Sequence, residues 1–402
     1  MEVFLARQPI FDLNKNVIGY EILYRDGLIN RFDSEDGDKA SKEVIFNTFQ
    51  TFGIDNLTDG KPVFINFTEE LINEEIATLF PKDFLVVEIL EDVLPSDEVM
   101  ENSRFLKKMG YRIALDDFIY SPEYEKLIEL ADIIKIDFLA SNREQIRRIC
   151  HGLKDQDIEL LAEKVETRED FEFALDLGFS LFQGYFFSEP EIVASKKLQP
   201  IKATYLQLLN EVNKMDIDFD NISELISMDL ALTYNLLKLV NSTAFGFKYG
   251  IRSVKHAVVA LGEREIRKWT YLIVVSIMGQ DEPEELIRLS LIRGRFMEMI
   301  SMNTRYDRHA GDLFLIGLFS LLEAILRRPI ADILDELKAP DMVRDTLIYG
   351  EGQAGNIYKM ALAYERGNWD EVLKYSEDLD IDPIDVPNGY ITALMWYRDL
   401  VG

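Results

Sequence analysis

The first 190 residues alternate between two hydrophobic patterns. Short apolar runs rich in β-branched and aromatic residues are typical of buried strands. These runs are Val17–Leu23, Pro62–Asn66, Phe84–Ile89, Tyr111–Leu115, Asp132–Ile136, Ile158–Ala162 and Ser180–Gln183. Amphipathic stretches with helical spacing lie between them at Lys39–Phe52, Pro95–Met109 and Arg168–Leu177. Repeated strand–helix units of this kind predict an α/β fold, a TIM-like (β/α) barrel with a parallel sheet.

The pattern changes after Lys197–Pro200, where apolar residues begin to recur at helical spacing. No later run alternates as a strand does, so the second half is predicted to be an all-α bundle. Its only long irregular stretch is Asp378–Gly389, which is rich in Asp and Pro. We therefore predict two domains, a barrel over residues 1–195 and a helical bundle over residues 200–402.

The composition fits a globular protein, with 48% hydrophobic and 29% charged residues. The single cysteine, Cys150, excludes an internal disulfide framework and a CxxC metal site. The N-terminal sequence MEVFLARQPIF has neither the basic segment nor the long apolar segment of a signal peptide. The most apolar later run, Tyr271–Met278, is far shorter than a membrane span. These features predict a cytoplasmic protein without a membrane partner.

The charge balance is strongly acidic, with 44 Lys and Arg against 72 Asp and Glu and a net charge of −28. Such a field repels nucleic acid phosphates, so neither DNA nor RNA is predicted to be a partner. A small anionic ligand would need bound cations or local arginines to overcome the repulsion.

Polar residues fall where the predicted strands end. They are Glu21, Asn66, Glu88, Asp116, Asp117, Lys135 and Glu163. The carboxyl ends of barrel strands meet at one mouth, so these side chains should converge. Their oxygens suit Mg²⁺ or Mn²⁺, and two such ions can hold a phosphodiester and activate a water. A single acid at a strand end is more often a helix N-cap or a solvated loop residue, and spacing alone leaves both interpretations open.

The segment GYEILYR, Gly19–Arg25, resembles the ExLxR signature of the EAL family of cyclic di-GMP phosphodiesterases. The blocks VFINFT, VVEILED, ALDDF, IIKID, LLAEKVET and FQGYFFSEP follow in the family's order, so the resemblance runs to about residue 190. It implies that the protein binds cyclic di-GMP and hydrolyses it to linear pGpG by a two-metal mechanism.

The resemblance also implies roles for individual residues. One metal ion would be held by Glu21, Asn66, Glu88 and Asp116. The second would be held by Asp116, Asp117 and Glu163, with Asp116 bridging the two ions.

Four further residues match positions outside the metal ligands. Lys135 resembles the lysine that holds the attacking water, and Gln183 resembles the glutamine beside it. Arg25 resembles the arginine that contacts a phosphate of the dinucleotide. Glu166 matches a glutamate that steadies the active-site loop.

Two departures from the family pattern keep an alternative open. The residues after Asp117 read FIYSPEYEKL, without the glycines of the family's loop, and Lys164 replaces the glycine of the AEGVE block. The alternative is a catalytically weak or inactive adaptor that acts through protein–protein contacts.

In the second half, DLALTYNLLKLVNSTAFGFKYGIRSVKHAVVALGEREIRKW, Asp229–Trp269, resembles the core of HDOD domains, helical relatives of HD phosphohydrolases. Only His256 and His309 lie in this half, so HD metal chemistry is not expected. The Met-rich and aromatic stretch Phe296–Met302 is interpreted as core or interface rather than as a ligand pocket. The resemblance implies a regulatory domain with an unidentified protein partner, and homodimerisation stays open.

Overall fold

A computed structural model describes most of the chain. It covers residues 3–26, 58, 60–118, 124–154, 156–184, 203–214, 216–241, 251–278, 283–302, 304–337 and 339–401. The chain divides into two compact units, one of Met1–Glu189 with Tyr364–Trp369 and one of Pro190–Ala363 with Asp370–Gly402. The predicted boundary at residues 195–200 lies outside the described residues and stays a prediction.

Eight strands close into a barrel in chain order. They are β1 Val3–Phe11, β2 Val17–Asp26, β3 Val63–Phe67, β4 Leu85–Ile89, β5 Arg112–Leu115, β6 Ile133–Asp137, β7 Glu159–Glu163 and β8 Leu181–Gln183. Strand β1 is antiparallel to both β2 and β8, and all other neighbours are parallel. The predicted barrel is confirmed, and each predicted run overlaps a strand. The additional strand β1 was not predicted.

Five helices follow strands of the barrel in the part of the chain that the structure describes. They are α1 Glu69–Asn73, α2 Asp97–Met109, α3 Glu125–Ile128, α4 Arg143–Leu153 and α5 Arg168–Asp176, with a 3-10 turn at Ile76–Leu79. Side chains cap the first turns of four of these helices, all but α3. For example, Ser96 accepts the Val99 N–H before α2, and Asn142 forms a capping box with Gln145 before α4. The predicted helix Lys39–Phe52 lies outside the described residues.

The interior of the barrel is built in layers. An apolar layer consists of the buried side chains of Ile10, Phe64, Val86, Ala114, Ile133, Leu161 and Leu181. Because side chains alternate along a strand, the residues two positions further on also point inward. Along β3 to β8 these residues are Asn66, Glu88, Asp116, Lys135, Glu163 and Gln183. The period of two therefore places a polar layer next to the apolar layer, on the side of the carboxyl ends of the parallel strands.

Strand β2 adds to this arrangement through a glycine. A Cβ atom at Gly19 would lie 2.9 Å from the ring of Phe64, so the side chain of Phe64 takes the space in the apolar layer. Two residues later, Glu21 joins the polar layer.

The described elements of the second unit are helices. They are α6 Ala203–Val212, α7 Phe219–Ser227, α8 Leu230–Val240, α9 Val254–Met278, α10 Glu284–Ser301, α11 Ala310–Phe319, α12 Leu322–Leu326, α13 Ile330–Glu336, α14 Asp341–Tyr349, α15 Gly352–Glu365, α16 Trp369–Leu379 and α17 Asp385–Val401, with a 3-10 turn at Asp307–His309. Helix α9 is broken at Gly262, which has φ 72°. Phe296, Met297 and Ile300 are buried, which confirms their interpretation as core.

The predicted irregular stretch Asp378–Gly389 is only partly irregular. Helix α16 continues to Leu379 and α17 begins at Asp385, so the non-helical part is residues 380–384. Pro387 lies in the first turn of α17, where the missing N–H of proline has no intrahelical partner to lose. Among the described residues, no helix combines the length and apolar character needed to cross a membrane.

Candidate active site

The ammonium group of Lys135 lies at the centre of the polar layer and is fully buried. Its Nζ is 2.7 Å from Glu88 Oε1, 2.7 Å from Asp116 Oδ1, 2.8 Å from Glu163 Oε1 and 3.5 Å from Glu21 Oε2. The structure therefore brings four of the six predicted metal ligands to one lysine.

The cluster is more acidic than its own cation can neutralise. Four carboxylates face one ammonium, which leaves three negative charges in excess when all are ionised. Burial raises the pKa of Glu163 to about 8, even though Lys135 lowers it. Burial also raises the pKa of Glu88 well above its usual range. For Lys135, burial alone lowers the pKa, but the carboxylates outweigh it and hold the pKa well above its usual range. Lys135 is therefore charged near neutral pH.

Gln183 links the cluster to the N-terminal strand. Its Nε2 donates to Glu21 Oε2 at 2.6 Å and to Gln8 Oε1 at 2.9 Å. Gln8 lies opposite Glu21 in the antiparallel β1–β2 register. Sequence reasoning missed Gln8 because β1 was not predicted. The apolar N-terminal run VFLARQPIF was the available signal.

Several oxygens of the polar layer lack a donor. Among the described residues, the buried atoms Asn66 Oδ1, Glu88 Oε2, Asp117 Oδ1 and Gln183 Oε1 accept no hydrogen bond. A buried acceptor without a partner costs about 1–3 kcal/mol. A bound cation would satisfy these oxygens and also offset the excess negative charge, so the residues present fit a divalent metal in donor chemistry and in charge.

The side chains are not arranged around a shared ion position. In the part of the chain that the structure describes, no three Asp, Glu, His or Cys side chains are grouped so that they could hold a metal ion as they stand. The reason is that the Lys135 ammonium lies among Glu88, Asp116 and Glu163 and draws each carboxylate to itself.

Two non-glycine residues near the mouth have left-handed backbone, Asp117 with φ 38° and Lys164 with φ 52°. The Lys164 ammonium pairs with Asp137 Oδ2. Asp137 also accepts the N–H groups of Leu139 at 2.6 Å and Ala140 at 2.8 Å. Burial raises the pKa of Asp117, and the charge of Lys164 opposes this rise. Sequence reasoning overlooked Asp137, although its position two residues after Lys135 was a usable signal.

The loop after β7 is held against the end of β8. The Val165 N–H donates to the Gln183 carbonyl at 3.0 Å. Gly184 has φ 140°, and a Cβ atom there would lie 2.2 Å from the Val165 carbonyl oxygen. Only glycine tolerates so close an approach, so the backbone at Gly184 packs directly against the backbone of Val165.

Most predicted site residues share one cavity over the mouth. Those that line it are Glu21, Asp116, Asp117, Glu163, Glu166 and Gln183. Glu166 is exposed there, whereas Glu88 and Lys135 are fully buried in the polar layer. Arg25 belongs to β2, but its side chain lies outside the described part of the structure. Its predicted phosphate contact therefore stays a prediction.

Family models match both halves of the chain. The EAL domain model matches residues 55–190, and the HDOD domain model matches residues 198–326. An uncharacterised protein of Bacillus subtilis, YuxH, is 37% identical over 409 residues, covering 100% of this chain and 99% of the relative. The chain is an EAL–HDOD protein. The match does not test the roles of individual residues, so all of them stay predictions, and Glu21 and Arg25 also precede the matched EAL segment.

A second relative of this EAL–HDOD protein carries a functional name. The cyclic di-GMP phosphodiesterase CdgJ of Vibrio cholerae is 34% identical over 400 residues, covering 99% of this chain and 93% of CdgJ. A crystal structure of the Bacillus subtilis YkuI protein, with an EAL domain and in complex with cyclic di-GMP and calcium, is 20% identical. It covers 56% of this chain and 71% of that chain with a TM-score of 0.38. The family assignment rests on the sequence matches alone.

Proposed function

We propose that this EAL–HDOD protein hydrolyses cyclic di-GMP to linear pGpG at the barrel mouth, with two divalent ions, Mg²⁺ or Mn²⁺. The observation that carries the proposal is the buried polar layer, in which four carboxylates face one ammonium and further oxygens lack donors. The likeness to CdgJ over nearly the whole chain supports cyclic di-GMP as the substrate.

The ion-binding residues would divide into two sets. Glu21, Asn66, Glu88 and Asp116 would hold one ion, and Asp116, Asp117 and Glu163 would hold the other. When bound, the ions would neutralise the phosphodiester and lower the pKa of a coordinated water.

The remaining residues would orient the reactants. Lys135 is held protonated by its carboxylate neighbours, so it acts as a hydrogen-bond donor to the attacking water and not as a base. Gln183, fixed by Glu21 and Gln8, keeps its carbonyl oxygen free to accept from the same water. Arg25 would contact a substrate phosphate, and Glu166 would steady the loop beside the cavity.

The direct test is an assay of the purified full-length protein with cyclic di-GMP and Mg²⁺, Mn²⁺ or EDTA. We expect pGpG with either metal and none with EDTA. The proposal would be contradicted if the protein neither bound nor cleaved cyclic di-GMP with Mg²⁺ and also failed to do so with Mn²⁺.

A second candidate is an adaptor that binds cyclic di-GMP, or no nucleotide, and signals through protein contacts. The observation that favours it is Lys164, because a lysine bound to Asp137 puts positive charge beside the second ion position. Binding of cyclic di-GMP without pGpG release in the same assay would support the adaptor.

The HDOD domain is proposed to regulate the barrel and to bind an unidentified protein partner. We also propose that the protein is cytoplasmic and binds neither nucleic acid nor membrane. A fragment ending at residue 195 keeps all eight strands of the barrel but loses Tyr364–Trp369, which belong to the same unit. We predict that it stays folded, which circular dichroism would check. We expect this fragment to differ from the full chain in pGpG release rate or in dimerisation, measured by assay and by sizing. Equal rates and masses would leave the HDOD domain only an independent binding role.

A further inference from the structure

The loop after β7 contains a lysine where the backbone favours glycine. Lys164 has φ 52°, a left-handed conformation that costs a side chain energy and that glycine adopts freely. The hydrogen bond from the Val165 N–H and the close packing of Gly184 also hold the loop. A strained residue beside a candidate active site points to a role for its side chain.

The Lys164 side chain brings an exposed positive charge to a cavity that Arg366 also lines. Its ammonium pairs with Asp137 Oδ2, and the Asp137 carboxylate is itself fixed by the N–H groups of Leu139 and Ala140. Lys164 lines the same cavity as Asp117 and Glu163. Asp117 has a buried oxygen without a hydrogen-bond donor among the described residues.

The two lysines of the mouth differ in burial and in their partners. Lys135 is fully buried and pairs with Glu21, Glu88, Asp116 and Glu163. Lys164 is 51% exposed in its side chain and pairs with Asp137, a carboxylate outside the predicted ligand set. Its charge is therefore added on the side of Asp117 and Glu163, without filling space in the core.

We propose that Lys164 is a built-in counter-cation that weakens binding of the second divalent ion, so that the Asp117 and Glu163 position fills only at a higher metal concentration. This inference rests on the proposed function, because it assumes that these two carboxylates hold an ion. A fixed positive charge repels a divalent cation in the same cavity. Because Lys164 is half exposed, the repulsion should shrink as the salt concentration rises.

The test is a calorimetric titration of the metal-free full-length protein with Mn²⁺ alone. Lys164→Met removes the charge and keeps most of the side chain, whereas Lys164→Gly also removes the backbone strain. We expect both variants to bind the weaker Mn²⁺ on the order of tenfold more tightly than the wild type. Lys164→Arg keeps the charge and should retain the wild-type affinity.

The matched control is Lys108→Met, which removes one exposed charge near the end of α2, just before β5 and thus at the opposite end of the barrel. It should leave Mn²⁺ affinity unchanged, which separates a local effect from a change in net charge. Thermal unfolding in EDTA checks that each variant is folded, and Lys164→Gly carries the test if Lys164→Met does not fold.

The outcomes separate the two proposals. If the wild type binds two Mn²⁺ ions and Lys164→Gly binds both with unchanged affinity, the role of Lys164 is wrong while the proposed function stands. If neither protein binds Mn²⁺, the proposed function fails. Weaker Mn²⁺ binding by Lys164→Gly would also overturn the inference, because it would make Lys164 a support for the site.

Discussion

Each unit of the protein buries a charged cluster, and the two clusters have opposite balance. At the barrel mouth one ammonium, Lys135, faces four carboxylates. In the helical unit one carboxylate, Glu298, faces three cations. Both Lys135 and Glu298 are almost completely buried, so burial alone does not distinguish them.

The carboxylate of Glu298 is fully paired within the protein. Its Oε1 accepts from Lys268 and from Arg264 at 2.6 Å, and its Oε2 accepts from Arg295 at 2.7 Å. Burial by itself raises the pKa of Glu298, but the charges of Lys268 and Arg295 outweigh it and leave the pKa below its usual value. The Lys268 ammonium also lies 5.2 Å from the centre of the Phe314 ring.

The difference shows how a ligand site can be told from a structural ion pair. The carboxyl groups of Glu163 and Glu88 have raised pKa values and leave oxygens without donors nearby, whereas Glu298 has a lowered pKa and every oxygen paired. At the Glu298 cluster the surplus positive charge lies partly on Arg264 and Arg295, which are partly exposed to water, whereas the surplus at the mouth is negative and buried, as expected of a site that binds a cation. The unmatched charge at the mouth is therefore the more informative signal.

The largest expected effect is at the bridging position of the mouth. Asp116→Asn removes a charge proposed to serve both ions, so pGpG release should fall by about 10³-fold or more and Mn²⁺ binding should weaken sharply. The control Asp157→Asn changes an exposed acid just before β7, at the other end of the barrel, and should be neutral. If Asp116→Asn turned over cyclic di-GMP at the wild-type rate, the cluster at the mouth would not be the catalytic metal site.

The helical cluster should affect stability and not catalysis. Glu298→Gln leaves three cations without their carboxylate, so the free energy of unfolding should fall by about 2–3 kcal/mol, measured by urea denaturation. Arg264 and Arg295 are partly exposed and can turn to water, which limits the loss. Glu263→Gln, which loses an exposed ion pair with Arg267, should change stability by less than about 0.5 kcal/mol. Equal losses in the two variants would mean that Glu298 is not a structural centre.

A third experiment separates chemistry from substrate binding at Lys135. Lys135→Ala removes the donor to the attacking water, so kcat should fall about 10²-fold. The affinity for cyclic di-GMP, measured by calorimetry with Ca²⁺ present, should stay within a few-fold because the water is not part of the substrate. If affinity and rate fall equally, Lys135 holds substrate and its assignment is wrong.

The smallest effect is a pH dependence of the metal-free protein. The pKa of Glu163 is about 8 when folded, against about 4.5 for an ordinary glutamate, so the folded state binds the proton more tightly. Its contribution to stability is complete below about pH 4.5 and is lost as the pH rises through about 8.

In EDTA, the wild-type Tm should therefore fall between pH 6 and pH 9 by a few degrees more than the Tm of Glu163→Gln, which cannot ionise. Glu159→Gln, an exposed change at the other end of β7, should follow the wild type. Parallel Tm curves for wild type and Glu163→Gln would show that Glu163 is not buried as an acid at the mouth.

Local pattern alone determined the barrel class, the helical second half and most of the polar layer. Side chains alternate along a strand, so Phe64 and Asn66 lie on the same face, as do Ile133 and Lys135. The apolar and polar layers can therefore be predicted from residues two positions apart in the sequence. The roles of those residues as ligands and water-holding groups came from the family resemblance and stay proposals.

Only the tertiary structure decided which polar and charged groups meet. It paired Gln8 with Gln183 through the antiparallel strand β1, joined Lys164 to Asp137, and gathered three cations around Glu298. Apart from Arg295, which lies three residues before Glu298 on α10, the partners lie on different elements. These pairings have no local signal, because barrel closure or helix packing brings the partners together. Hydrophobic periodicity fixes the face on which a side chain lies, but the charge balance of a site depends on what other elements place opposite it.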